Sequence, residues 1–161
     1  MLLLVRHAMP DTSPEVPSGR WPLTPAGRAA ASSLVDALPA GALLVASDER
    51  KAWETLGAGS VPRDPRFGEV RRDEGWSDDF RTVRGRYVAG EALPGWEPQA
   101  DVVARFGAGL DAWRARADGP LVVATHGMAM TVWLVSVGRV PAGGAEAFWS
   151  GLGFPDVVRV D

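Results

Sequence analysis

Cysteine does not occur among the 161 residues. Its absence excludes a disulfide framework, a thiolate nucleophile and a cysteine-ligated metal, and it fits a reducing cytoplasm, the expected location. An excess of basic charge is missing too: 17 Lys and Arg stand against 20 Asp and Glu, a formal charge of −3. So near neutrality, the chain lacks the basic surface that neutralises nucleic-acid phosphates, and no nucleic-acid partner is expected. Long apolar runs are also wanting. The N-terminal run of residues 2–5 stops at Arg6, far short of a signal peptide core or the roughly 20 residues of a membrane span, so no membrane partner is expected. Histidine and lysine are scarce. His7 and His126 are the only histidines and Lys51 the only lysine, against 16 arginines.

What is present reads as alternating strands and helices. Residues 2–5 are wholly apolar, as in a strand covered on both faces. Residues 9–22 hold four prolines and a glycine and form a loop. Thr24 and Pro25 suit the N-cap and first position of a helix that ends before Pro39 and Gly41. A second buried strand is predicted over 43–46, then a helix capped by Ser47 or Asp48 and bearing Arg50, Lys51, Trp53 and Thr55. Residues 66–70 read as a short strand and 80–88 as a helix. A long helix over 99–117 presents Val102, Val103, Phe106, Leu110 and Trp113 on one face. Residues 120–125 form a third buried strand, 128–137 a helix, and 157–160 a last strand. The alternation predicts an α/β fold, a single-domain three-layer sandwich over 1–161 with a mostly parallel central sheet and helices on both faces. Residues 75–96, without clear period, form a lid-like excursion.

In parallel sheets, ligands bind outside the carboxyl ends of the strands. Arg6-His7 ends the first strand, Thr125-His126 the third, and Arg50-Lys51 opens the helix after the second. Two imidazoles with fixed cations and helix N-termini would make an electropositive pocket suited to a phosphate-like anion. A neutral histidine there could attack phosphorus while the cations neutralise the equatorial oxygens. A zinc site lacks both cysteine and an HExxH spacing; two histidines completed by carboxylates are the remaining metal alternative.

The order of motifs resembles the histidine phosphatase superfamily, the clan of phosphoglycerate mutases and acid phosphatases. Arg6-His7-Ala8 is similar to its RHG signature and residues 23–27, LTPAG, to its LTxxG helix start. Residues 47–55, SDERKAWET, resemble SxLxRAxxT. Phe67-Gly68-Glu69 with Gly75-Trp76 resembles the LxE and GxW region, Trp96-Glu97 with Arg105 the GES…R helix, and Thr125-His126-Gly127 the SHG strand end. The resemblance implies a phosphoglycerate mutase-like fold and a metal-independent phosphomonoester hydrolase with no cofactor. His7 would be the nucleophile, Arg6 and His126 would hold the phosphoryl oxygens, and Glu69 would be the proton donor, best served by a raised pKa. Asp73 or Glu74 are alternatives for the acid.

Three departures stand out. Ala8 replaces a glycine, Ser13 falls where the family has an asparagine, and Lys51 occupies the phosphate-binding arginine position with Arg50 one place before it. Lysine supplies charge without a bidentate fork, so either Lys51 or Arg50 takes that role. The expected substrate is a small phosphorylated compound or a phosphoprotein, and Arg81, Arg84 and Arg86 either meet an anionic substrate or form a solvated helix face. Two other readings are a phosphoglycerate-mutase-like isomerase and a non-catalytic module that binds phosphate ligands or proteins. The shortness of the excursion favours hydrolysis, because a mutase must close its intermediate away from water.

Overall fold

The computed structural model describes residues 1–57 and 59–161. Strand β1 is Leu2–Arg6, β2 is Leu43–Ala46, β3 is Leu121–Thr125 and β4 is Asp156–Arg159, in the spatial order β2-β3-β1-β4. β1 and β2 both pair parallel to β3, while β4 runs antiparallel along β1. The three parallel strands are the apolar runs of the sequence. Every residue of β1 and β3 is buried, the pattern of strands covered on both faces. β4 alternates between half-buried and exposed, as an edge strand does.

Period-two alternation divides the core. Leu2, Leu4, Val45, Leu121 and Val123 face one way, against α4 (Gln99–Arg114), α5 (Gly127–Ser136) and residues of α3 (Phe80–Val88) and α6 (Ala145–Gly151). Leu3, Val5, Ala46, Val122 and Ala124 face the other way, against α1 (Pro25–Asp36) and α2 (Arg50–Thr55). The result is a three-layer α/β fold with a mostly parallel sheet. No helix among the described residues is long and apolar enough to cross a membrane.

The helix starts follow local chemistry. Thr24 caps α1, its Oγ1 accepting from the Gly27 amide at 2.9 Å, with Pro25 at the first position where no amide hydrogen is needed. The N-cap of α2 is Glu49, in place of the expected Ser47 or Asp48, and its side chain makes no capping bond. Ser47 still serves this turn, because its Oγ accepts from the Glu49 amide at 3.2 Å. The strand expected over 66–70 is absent. Pro65–Phe67 is instead a 3-10 turn, since Pro65 fixes the turn dihedral and the Asp64 carboxylate accepts the Arg66 amide. Within 75–96 the regular element is α3, and its arginines are largely occupied. Arg84 pairs with Glu74 and Arg86 with Glu91, whereas Arg81 is exposed.

Candidate active site

Parallel pairing brings the carboxyl ends of β1, β2 and β3 to one edge, with Arg6 opposite Thr125 and Ala46 opposite Ala124. His7 and His126 each follow the last residue of their strand, and their rings lie 5.2 Å apart. Both are buried. His7 Nδ1 lies 2.8 Å from the Ala8 carbonyl, an oxygen that can only accept. Nδ1 therefore carries the hydrogen and Nε2 presents its lone pair. Burial first, then the charges of His126 and Lys51, hold the His7 pKa well below the ordinary 6.5, so the ring is neutral near pH 7.

Arg6 is fixed by the C-terminal segment. Its Nη1 donates to the Leu152 carbonyl at 2.6 Å and its guanidinium lies 3.6 Å above the Phe154 ring. Burial pushes its pKa down to about 10, which leaves it charged. Among the described residues its Nε is buried without a partner, and so is His126 Nδ1. A buried polar atom left unpaired costs roughly 1–3 kcal/mol. Two of them in one cluster mark a place where a ligand would restore the missing bonds.

Lys51, not Arg50, joins this cluster. The Lys51 side chain is 7% exposed, and its Nζ donates to the Ser18 carbonyl at 2.8 Å and to Glu49 Oε2 at 2.5 Å. Arg50 is 48% exposed and bonds Glu54 across one helical turn, so the expectation of a phosphate-binding role for it is not met by its placement. Ser13 bonds Glu15. The cluster is also less positive than expected, because Glu49 enters it beside Glu69.

Glu69 lies at the start of α5. Its Oε1 accepts from the Val70 and Ala129 amides, both at 2.9 Å, and its Oε2 from the Met128 amide at 3.3 Å. Burial alone would raise its pKa, but the charges of His126 and Arg72 and the Val70 amide bring it below the ordinary 4.5. The raised value expected for an acid is thus absent in the ligand-free site, because the charges beside the carboxylate, that of His126 first, favour the anion. Glu74 is engaged by Arg72 and Arg84, and Asp73 is exposed just before the excursion. Among the described residues neither bonds a histidine. A pocket of about 310 Å³ opens beside Glu69, lined also by Asp48, Glu49, Arg71 and Arg105.

The remaining motif residues act as supports. Thr55 Oγ1 accepts the Ala8 amide at 2.9 Å and donates to the Lys51 carbonyl at 2.7 Å, tying the loop after His7 to α2. The Thr24 amide donates to the Met9 carbonyl at 3.0 Å. Gly27 is required at this crossing, since a Cβ there would sit 2.4 Å from that carbonyl oxygen. The Glu97 carboxylate pairs with Arg105, which donates onward to the carbonyls of Arg66, Gly68 and Glu69. That network holds the segment bearing Glu69. Thr125 Oγ1 donates to the Phe67 carbonyl at 2.7 Å, from the other side.

Pattern reading did not single out Glu49, Leu152 or Phe154. Glu49 had a signal: in SxLxRAxxT it stands at the leucine, two places before Lys51, so the two departures form one pair. Leu152 and Phe154 had none, being distant in sequence and ordinary in type. No group of three or more potential metal ligands occurs among the described residues.

Solved structures provide the first comparison. A structure described as mycobacterial hydrolase 1 aligns with a TM-score of 0.65 at 26% identity, covering 91% of this chain and 84% of the other. Mycobacterial glucosyl-3-phosphoglycerate phosphatase, in complex with inorganic phosphate, aligns with a TM-score of 0.65 at 27% identity, covering 91% and 82%. A protein from Thermus thermophilus aligns with a TM-score of 0.57 at 27% identity, covering 85% and 84%. Among curated proteins no match was found. The sequence profile of the histidine phosphatase superfamily (branch 1) matches residues 2–151. Motif order, strand-end geometry and this match agree: the chain belongs to the histidine phosphatase superfamily.

Proposed function

We infer that the chain is a phosphomonoester hydrolase working through a phosphohistidine at His7. The observation that favours this most is the His7 ring, buried and neutral with Nδ1 turned to the Ala8 carbonyl, beside two unpartnered nitrogens on Arg6 and His126. His7 Nε2 attacks phosphorus, forming a P–N bond as the ester P–O bond breaks. Arg6, His126 and Lys51 neutralise the charge on the non-bridging oxygens. The leaving oxygen takes a proton from the Glu69 carboxyl group. Glu69 is ionised in the ligand-free site, and a bound dianionic phosphoryl group beside it would raise its pKa towards the working range. In the second half, Glu69 takes a proton from water, whose oxygen bonds phosphorus as the P–N bond breaks. Inorganic phosphate and neutral His7 result.

A small phosphorylated metabolite is the substrate class we favour, supported by the similarity to a glucosyl-3-phosphoglycerate phosphatase; a phosphohistidine on another protein is the alternative. The test is phosphate release from a panel of phosphomonoesters in EDTA, comparing wild type with His7→Ala. Turnover that survives EDTA, vanishes in the variant and leaves acid-labile phosphate on the wild-type chain is expected. Turnover retained by His7→Ala would remove the reading. Transfer of phosphate between positions of one substrate with almost none released would mark an isomerase instead. Phosphate binding by a folded protein inactive on every ester would favour the binding module.

A further inference from the structure

Glu49 has no part in the mechanism above, yet its carboxylate meets three members of the site. Oε2 accepts from Lys51 Nζ at 2.5 Å, Oε1 accepts from the Glu69 amide at 2.8 Å, and Oε1 lies 3.4 Å from His126 Nε2. That same His126 nitrogen is 2.9 Å from Ser47 Oγ. With a carboxylate and a hydroxyl oxygen both facing it, Nε2 keeps its hydrogen. The nitrogen left for a ligand is Nδ1, buried and unpartnered. To donate a hydrogen bond to an anion, Nδ1 needs a proton of its own, which makes the ring an imidazolium.

A buried imidazolium needs a counter-charge. The charged groups facing His126 are Glu49 and Lys51 of α2 with Glu69 and Arg72 of the segment before α3, and the His7 ring lies against it from the end of β1. The two cations oppose protonation, so the two carboxylates must supply the balance. Lys51 presents the complementary constraint. An ammonium has three N–H donors, and Ser18 and Glu49 occupy two. The third stays available to an anion while the other two fix the side chain.

We propose that Glu49 is a positioning residue of the phosphate seat, clamping the Lys51 ammonium and holding His126 as an imidazolium donor once an anion enters, without touching the substrate itself. This rests on the reading that a phosphoryl group binds at the histidine pair. Burial lowers the His126 pKa, and Glu49 is the largest influence acting the other way.

Because the chain has only two histidines, ¹⁵N imidazole spectra of the whole protein report them separately, with His7→Asn assigning the signals. With inorganic phosphate at pH 7.5, wild type is expected to show both His126 nitrogens protonated and His7 neutral. In Glu49→Gln the His126 midpoint with phosphate should fall by about one pH unit. Phosphate binding at pH 8 should then weaken roughly tenfold. The loss should shrink as the pH falls, because phosphate then meets a His126 that is already protonated in both proteins. A purely structural Glu49 would weaken binding equally at every pH, and that result overturns the proposal. So does a neutral His126 in phosphate-bound wild type, which decides the matter even if Glu49→Gln does not fold. Absence of phosphate binding by wild type would remove the function reading and this one together. The expected spectra with no ester hydrolysed would remove the hydrolase alone.

Discussion

The histidine wall and the carboxylate wall of the site face each other but are built differently. Arg6, His7 and His126 stand at the ends of buried parallel strands, and Arg6 Nε and His126 Nδ1 are left without partners. Glu49 and Glu69 stand on turns and at a helix start, and all four of their oxygens accept a hydrogen bond. The first wall is open, with the buried Arg6 Nε as a donor and a His126 Nδ1 that becomes one only when the ring gains a proton. The second is closed, and its acids remain anions until something changes the charge beside them.

The largest break in this contrast is on the open wall. His7→Ala should lower phosphate release on the order of 10⁴-fold or more, with folding intact, measured by kcat on the best ester found. An equal loss from Glu69→Ala would mean the two walls act as one unit. Glu69→Gln removes the proton but keeps the acceptor oxygen, and about a 10²-fold fall in kcat is expected. That loss should shrink with esters of acidic leaving groups, which need no proton. A loss of the same size on every ester would assign Glu69 to holding the start of α5 instead.

The cations sharpen the comparison next. Lys51→Met should raise KM about tenfold or more through loss of a buried charge at the site. Arg50→Met, one position away but exposed against Glu54, should leave KM unchanged and stability within about 0.5 kcal/mol. The reverse order of effects would show that α2 turns its other face to the substrate.

Stability against pH follows from the same two walls. Both histidines have folded pKa values held below the ordinary 6.5, so the unfolded chain takes up protons that the folded chain refuses. Their contribution is complete above about pH 6.5 and is lost as pH falls through the window below it. Glu49 and Glu69 are held below their ordinary 4.5, so their contribution fades only at lower pH. Tm should therefore fall already between pH 7 and 5, before the carboxylates titrate. A flat Tm across that window, followed by calorimetry, would show that the histidine wall admits a proton without penalty. The smallest effect belongs to a support: Thr24→Ala should cost about 1 kcal/mol through loss of the α1 cap, with kcat nearly unchanged.

Much of the fold was legible because its strands are buried on both faces. Such strands appear as short apolar runs bounded by glycine, proline or a polar residue, and residues 2–5, 43–46 and 120–125 each mark one. The segment at 66–70 buries Phe67 and Val70 as a strand would but lacks the strand backbone, because Pro65 and the Asp64 carboxylate impose a turn.

In the site, the amino-acid sequence alone determined which side chains stand at strand ends. His7 and His126 follow apolar runs, and parallel pairing puts those ends together whatever the loops do. Tertiary structure alone decided the rest. Successive residues on a helix point about 100° apart, so the choice between Arg50 and Lys51 depended on which face of α2 packs inward. The guanidinium of Arg6 is fixed by Leu152 and Phe154, almost 150 residues away. Glu49 acquires its neighbours only when α2, the Glu69 segment and β3 are assembled. Local pattern can place a residue along the chain, but the charge next to it is set by contacts that only the folded chain makes.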